Sequence, residues 1–145
     1  MTGSKLIKME RLAHTALEGG DYKTAISVFR ELLREQPDYE HGLPHYHVAS
    51  ALEEIGDYHS AAAEYKKALS WEPNDPVKLG GYASFLYLHG DPSEAFEAYL
   101  KLAKTELRRS EVPTDIRRIL FELASRMGLS KDKTKERIQR EGIPL

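Results

Sequence analysis

Three of the six histidines lie close together in the sequence, and histidine is a common ligand for metal ions in proteins. His41 and His45 have the four-residue spacing that lets two rings share a metal on one helix face, but Pro44 is expected to start a helix between them. His45 and His47 are two residues apart and would point to different sides of a helix. We therefore favour a structural role, in which His45 packs between helices and the others are exposed or line a groove, over a metal site.

No other residues form a recognisable catalytic set. The chain has no cysteine, which removes disulfides, cysteine metal sites and cysteine nucleophiles. Acidic residues are plentiful, but most fall on outward helix faces, and no carboxylate pair stands out for acid–base chemistry. The sequence contains no phosphate-binding glycine loop, nucleophile elbow or zinc-protease pair. It therefore predicts a protein that is not an enzyme and that holds no metal or cofactor.

The composition is that of one folded domain. The 145 residues are 41% hydrophobic and 30% charged, with a net charge of −2, so nucleic acid is not an expected partner. No apolar run is long enough for a signal peptide or a membrane span, which favours a cytoplasmic protein without membrane contact. The charge is uneven, because residues 104–145 hold eleven Lys and Arg against seven Asp and Glu. This basic end is interpreted as a solvated helix face, with a contact patch for an acidic partner as the alternative.

The elements that must position these residues form an internal repeat. A glycine–aspartate pair recurs at intervals of 36 and 34 residues, as Gly20-Asp21, Gly56-Asp57 and Gly90-Asp91. Five residues after each glycine comes an alanine, and nine residues after it an aromatic residue: Ala25, Ala61 and Ala95, then Phe29, Tyr65 and Tyr99. Apolar residues recur at three- and four-residue steps on both sides of the glycine, which predicts two amphipathic helices in each repeat. Each glycine is expected to end the first helix in a left-handed conformation, and each aspartate to cap the second.

These columns resemble the tetratricopeptide repeat (TPR) family, whose pattern is W-x2-L-G-x2-Y, then A-x3-F, then P, at a period of 34 residues. The tryptophan column is occupied by Met9, His45 and Leu79, and the third copy lacks the closing proline that the others have. Two extra residues lie in the first inter-repeat turn, near Glu40-His41-Gly42.

The predicted fold is all-α: a right-handed α-α superhelix, or solenoid, of three helix-turn-helix repeats followed by one or two C-terminal helices. We treat residues 1–145 as a single domain, with repeats at about 6–39, 42–75 and 76–109. First helices are predicted near 5–18, 44–55 and 76–89, and second helices near 21–35, 57–71 and 91–109. A capping helix at about 113–127 is expected to cover the end of the solenoid. A short helix at about 131–140 has Ile138 as its main apolar residue and little to bury.

The resemblance implies that the first helices line a concave groove in which a segment of a partner protein lies. Alignment by the turn glycines gives a mixed polar and aromatic lining: Arg11, His14, Leu17, Tyr46, His47, Ser50, Glu53, Ser84 and Tyr87. Some members of the family grip the carboxylate tail of chaperones with a clamp of lysines, asparagines and an arginine. The clamp positions fall on Glu10, His14, His47, Val77 and Gly81. None of them matches, so we expect no binding of that tail.

The predicted function is therefore that of a protein-interaction module, a scaffold or adaptor that binds a peptide or helix of an unidentified partner. The alternatives are a constitutive structural subunit or homo-oligomer, and a small chaperone for exported substrates. Gly80 and Gly81 lie in the third repeat, where glycine weakens a helix. Either a partner or a neighbouring helix approaches closely there, or the helix starts later than Pro76.

Overall fold

A computed structural model describes residues 3–145, which form eight α-helices and divide into two compact units. The first unit ends at Pro73 and contains α1 (Gly3–Glu18), α2 (Tyr22–Glu35), α3 (Leu43–Glu54) and α4 (Tyr58–Trp71). The second unit, Asn74–Leu145, contains α5 (Pro76–His89), α6 (Pro92–Arg109), α7 (Thr114–Arg126) and α8 (Lys131–Arg140). In each unit, consecutive helices pack against one another. None of the described helices is long and apolar enough to cross a membrane.

The repeated aspartates begin the second helices as predicted. The side chain of Asp21 accepts a hydrogen bond from the Thr24 backbone N–H at 3.3 Å, and Asp57 and Asp91 cap α4 and α6 in the same way. The three column alanines are completely buried, which lets the paired helices approach closely. The repeated columns therefore fix where each second helix begins and which face it buries.

The expectation for the turn glycines holds in two copies and is wrong in the third. Gly20 and Gly56 have φ values of 79° and 85°, the left-handed conformation that favours glycine. Gly90 has φ −109° and ψ −169°, which is extended backbone. Pro92, at the start of α6, favours extended backbone at the residue before it, and Asp91 accordingly has ψ 133° where Asp21 and Asp57 have ψ 73°. The third turn therefore follows a different backbone path from the other two.

The first inter-repeat turn, which contains the two extra residues, spans Tyr39–Gly42 and does not have right-handed helical backbone. Its backbone has positive φ at three consecutive positions, Glu40, His41 and Gly42. A Cβ atom on Gly42 would come within 2.2 Å of Cδ1 of Trp71, so the turn packs directly on the end of α4. Only glycine fits that position without displacing the indole ring.

Two sequence expectations about the second unit need correction. Helix α5 runs from Pro76 through both Gly80 and Gly81, so the helix does not start late. A Cβ atom on Gly80 would meet only Leu102 Cδ2, at 3.9 Å, so no neighbouring helix approaches closely at that residue. Helix α8 buries Thr134 as well as Ile138, and Ile143, just after the end of the helix, is also buried; Thr134 and Ile143 are each 1% exposed. It is a docked helix and part of the core of this unit.

Candidate functional site

In the first unit, the predicted groove residues lie on α1 and α3, and the structure joins several of their rings. The His14 and His47 rings meet edge to face with centroids 4.6 Å apart, and both rings contact Phe29 of α2 at 5.3 Å. Tyr46 contacts His47 at 5.6 Å and Tyr65 of α4 at 5.8 Å. We call these five residues, His14, Phe29, Tyr46, His47 and Tyr65, the aromatic cluster. Phe29 and Tyr65 are buried, whereas His14, Tyr46 and His47 are half-buried, so three of the five rings are partly accessible at the surface.

The remaining predicted groove residues of this unit lie outside the aromatic cluster. Glu53 accepts a hydrogen bond of 2.8 Å from the Tyr65 hydroxyl, so it continues the aromatic cluster along α3. Arg11 is exposed on α1, whereas Leu17 and Ser50 are half-buried. Burial, the bond to Glu53 and the charge of Glu53 all raise the pKa of Tyr65, so its hydroxyl stays a donor.

Burial also decides the charge of His47. Burial and, to a smaller extent, the neighbouring His14 lower the pKa of the His47 ring to about 4, and the Glu10 carboxylate opposes both. At neutral pH this ring is uncharged, with one donor and one acceptor nitrogen. It can therefore orient a polar group of a bound chain without adding a charge to the surface.

A group of acidic residues that the sequence did not reveal lies beside the aromatic cluster. Tyr39 is half-buried and hydrogen-bonded to Glu10, and burial, that bond and the carboxylates of Glu10 and Glu40 raise its pKa to about 12. Burial and the Glu10 carboxylate also raise the pKa of Glu40. These contacts depend on the left-handed backbone at Glu40, which residue spacing does not predict.

The histidines near the first turn have separate roles. His45 Nδ1 lies 2.6 Å from Glu64 Oε2, which ties the start of α3 to α4 as the structural interpretation predicted. Burial raises the pKa of Glu64, but the contacts with His45 and Lys67 outweigh it and leave the pKa below its ordinary value. His41 is exposed. Among residues 3–145, no group of three or more histidine, aspartate and glutamate side chains has the geometry to hold a metal ion.

In the second unit, the two predicted residues lie on α5, and one of them contacts a helix that was not assigned to the groove. The Tyr87 hydroxyl donates to Glu122 Oε1 of α7 at 2.8 Å, and the Arg126 guanidinium lies 4.9 Å from the centre of the Tyr87 ring. Arg126 also bonds Glu122 at 2.7 Å. Ser84 is exposed and hydrogen-bonds Tyr99. Helix α7 therefore adds Glu122 and Arg126 to the candidate surface of the second unit.

The sequence contained a signal for these two residues. Glu122 and Arg126 lie opposite the buried stripe of α7, on the face that carries the other charged residues of that helix. A helix that follows a third repeat occupies the place of a fourth first helix, so its polar face lies beside that of α5. Extending the repeat alignment by one helix would have predicted them.

The comparisons with known proteins agree with this architecture. Residues 10–78 match the sequence profile of the tetratricopeptide repeat family. Among curated proteins, none matches the sequence closely enough to count as a relative. Several solved structures share the fold, although each is less than 20% identical in sequence.

Three of these structures illustrate the range. The first TPR domain of Spaghetti (RPAP3), bound to the HSP90 peptide SRMEEVD, is 12% identical with a TM-score of 0.72 over 89% of this chain and 100% of that one. The TPR2B domain of yeast Sti1, in a complex with pHsp70, is 16% identical with a TM-score of 0.72 over 86% and 99%. The type III secretion translocator chaperone SycD of Yersinia enterocolitica is 18% identical with a TM-score of 0.73 over 88% and 98%. The chain has the all-α fold of these domains, and its residues 10–78 carry the sequence profile of the tetratricopeptide repeat family.

Proposed function

We propose that this protein is a non-enzymatic interaction module that binds a peptide or helical segment of a partner protein. The observation that carries the proposal is the aromatic cluster. Tyr46 and His47 are half-buried, so their rings are fixed by neighbours on one side and available on the other. Fixed aromatic rings lose little conformational entropy on binding, which is why they dominate many protein interfaces.

The second unit offers a similar arrangement around Tyr87. Its hydroxyl and ring are held by Glu122 and Arg126, both from α7. Arg126 and Glu122 present opposite charges beside one aromatic ring, which suits a polar segment with mixed charge. We include Ser84 in this surface because it is exposed on the same helix as Tyr87.

Binding should depend on these rings. Replacing both residues, Tyr46→Ala and Tyr87→Ala, is expected to weaken partner binding at least tenfold while the chain remains folded. The partner is first identified by pull-down from the native cell and mass spectrometry, and the affinity is then measured with purified proteins. Tyr58→Ala is the matched control, since Tyr58 is 44% exposed and lies at the start of α4, outside the proposed surface. Unchanged affinity in the double variant would contradict the proposed binding site.

We also propose that the partner segment is not held through a clamped C-terminal carboxylate. Glu10 stands at the first aligned clamp position and lies beside Glu40, so the local charge repels a carboxylate. Val77 and Gly81 have no side-chain donor for a charge-assisted hydrogen bond. The peptide SRMEEVD should therefore compete with the partner no better than the same peptide with its C-terminus amidated. Clearly stronger competition by the free carboxylate would show that a clamp exists.

A second candidate function is a chaperone or a constitutive homo-oligomer, and the similarity of fold to the secretion chaperone SycD favours it. In this chain the helices outside the repeats, α7 and α8, follow them. Multi-angle light scattering tests the homo-oligomer against a free-standing monomeric module. A stable dimer at low micromolar concentration would support the oligomer, and a monomer at high concentration would exclude it.

A further inference from the structure

A second surface of the first unit carries an unusual concentration of positive charge. Lys23, Ser27, Arg30 and Arg34 follow one another at helical intervals along α2 and therefore lie on one face of that helix. Lys67 of α4 faces the end of this row, because it lines a cleft together with Arg30 and Arg34. We call these five residues the basic stripe.

The basic stripe borders two clefts that share the two arginines. One cleft, of about 330 Å³, lies between α2, the start of α3 and α4, and Lys67 lines it. The other, of about 360 Å³, lies between α2 and the end of α3 and is lined by Lys23, Ser27 and the 47% exposed side chain of Ile55. Together they form a path along α2 with cations on its rim and an apolar side chain at one end.

The charge of these clefts is opposite to that of the unit that carries them. Residues 1–73 contain eight Lys and Arg and twelve Asp and Glu, so the unit is negative. Four of the eight cations line the two clefts, but only one of the twelve carboxylates does. A chance scatter of charges would place more carboxylates than cations there. The basic stripe is a positively charged patch on a unit with net negative charge, and such a patch favours contact with an anion.

Three of the four cations of the stripe are available to a ligand, and the fourth, Lys67, is paired with Glu64. The one carboxylate in the clefts, Glu64, is engaged by His45 at 2.6 Å and lies 3.5 Å from Lys67. Within the described part of the chain, Lys23, Arg30 and Arg34 form no ion pair. Arg30 and Arg34 are both exposed, and one helical turn separates them, a spacing that suits two successive acidic side chains.

We propose that the basic stripe binds an acidic segment of a partner protein, with carboxylates on Arg30 and Arg34 and an apolar side chain against Ile55. None of the predicted groove residues lines either cleft, so this surface is separate from the one assigned above. The first unit then has two binding surfaces, one aromatic on α1 and α3 and one basic on α2 and α4. A single acidic partner, or two different ones, can contact the first unit from both.

The test uses isothermal titration calorimetry with the full chain and a synthetic peptide of sequence Glu-Glu-Leu-Glu-Glu-Leu. We expect binding at about 20 mM salt that weakens as the salt concentration rises, because the contacts are largely exposed. The double variant R30Q/R34Q should bind about tenfold more weakly, and I55S should also lose affinity. A peptide with glutamine in place of each glutamate should not bind.

The control is R108Q/R109Q, which makes the same change in net charge at two exposed arginines at the end of α6, where Arg109 lies 3.3 Å from Glu106. It should bind the acidic peptide almost as tightly as the parent chain. Circular dichroism of each variant establishes that its helices are intact. The proposal is overturned if the parent chain binds no acidic peptide, if R30Q/R34Q binds it as well as the control does, or if the glutamine peptide binds equally. It is also overturned if only the double variant Tyr46→Ala and Tyr87→Ala loses the peptide.

Discussion

His47 illustrates how the surroundings of one residue couple binding chemistry to stability. Its ring is stacked on Phe29 with centroids 5.3 Å apart and contacts His14, and burial there lowers its pKa to about 4. In the unfolded chain a histidine has a pKa of about 6.5 and gains a proton below that pH. The folded state resists the proton until about pH 4, so acid favours the unfolded chain. The contribution of His47 to stability is therefore complete above pH 6.5 and is lost between pH 6.5 and pH 4.

We expect His47→Phe to flatten the pH dependence of stability. Phenylalanine keeps an aromatic ring against Phe29 but cannot take up a proton. Between pH 7 and pH 4.5, the free energy of unfolding of the parent chain should fall by about 2 kcal/mol more than that of the variant. Urea denaturation at the two pH values measures the difference.

His59→Phe is the control for this experiment, since His59 is exposed on α4. It should leave the acid loss of stability close to that of the parent chain. Equal slopes for the parent chain and His47→Phe would mean that the ring of His47 takes up its proton as readily in the folded state as in the unfolded one.

At the scale of elements, the turn between the first two repeats is the feature that departs most from the repeat pattern. Glu40 and His41 have positive φ without being glycine, a conformation that costs about 1 kcal/mol or more per residue. The turn also brings Glu40 to Glu10 and seats Gly42 on Trp71. The extra residues therefore shape the edge of the candidate site as well as connecting two helices.

Gly42→Ala should destabilise the protein by about 2–4 kcal/mol. The methyl group adds the cost of a left-handed conformation to the displacement of the Trp71 ring, which it would approach within 2.2 Å. Gly128→Ala is the matched control, because Gly128 also has a left-handed backbone, with φ +83°, but has nothing within 4 Å of an added Cβ. The control should cost about 1 kcal/mol.

Both free energies come from denaturant unfolding of the purified variants at pH 7. Similar costs for the two alanines would mean that the indole ring moves aside freely and does not hold the turn. The excess cost of Gly42→Ala over Gly128→Ala measures the packing of the turn on Trp71 apart from its backbone conformation.

For the whole molecule, the sequence predicted the helices far better than the contacts between them. Repetition strengthens the prediction of helix starts, because Asp21, Asp57 and Asp91 each cap the second helix of their own repeat. The third turn and α8 were predicted less well. The backbone of the third turn departs from the other two copies at Gly90 and Asp91, and the burial of Thr134 depends on docking that no local pattern shows.

The candidate site was predictable to the extent that it follows the repeat. Positions on α1, α3 and α5 came from alignment alone, and His14 and His47 do meet. Contacts between residues distant in sequence did not follow from the pattern, as with Tyr87 and Glu122, which are 35 residues apart. The basic stripe could not be predicted from the net charge of chain segments. Only the folded unit shows which charged side chains share a surface.

Trp71, which lies against Gly42 at the end of α4, is the only tryptophan of the chain. Its intrinsic emission therefore reports on the first unit alone, since the chain from Asn74 to Leu145 contains no other indole. Far-ultraviolet dichroism, in contrast, records the helices of both units. Denaturation curves from the two signals coincide if the units unfold in one step and separate if they unfold in turn. A single native side chain thus makes the cooperativity of the protein measurable without a label.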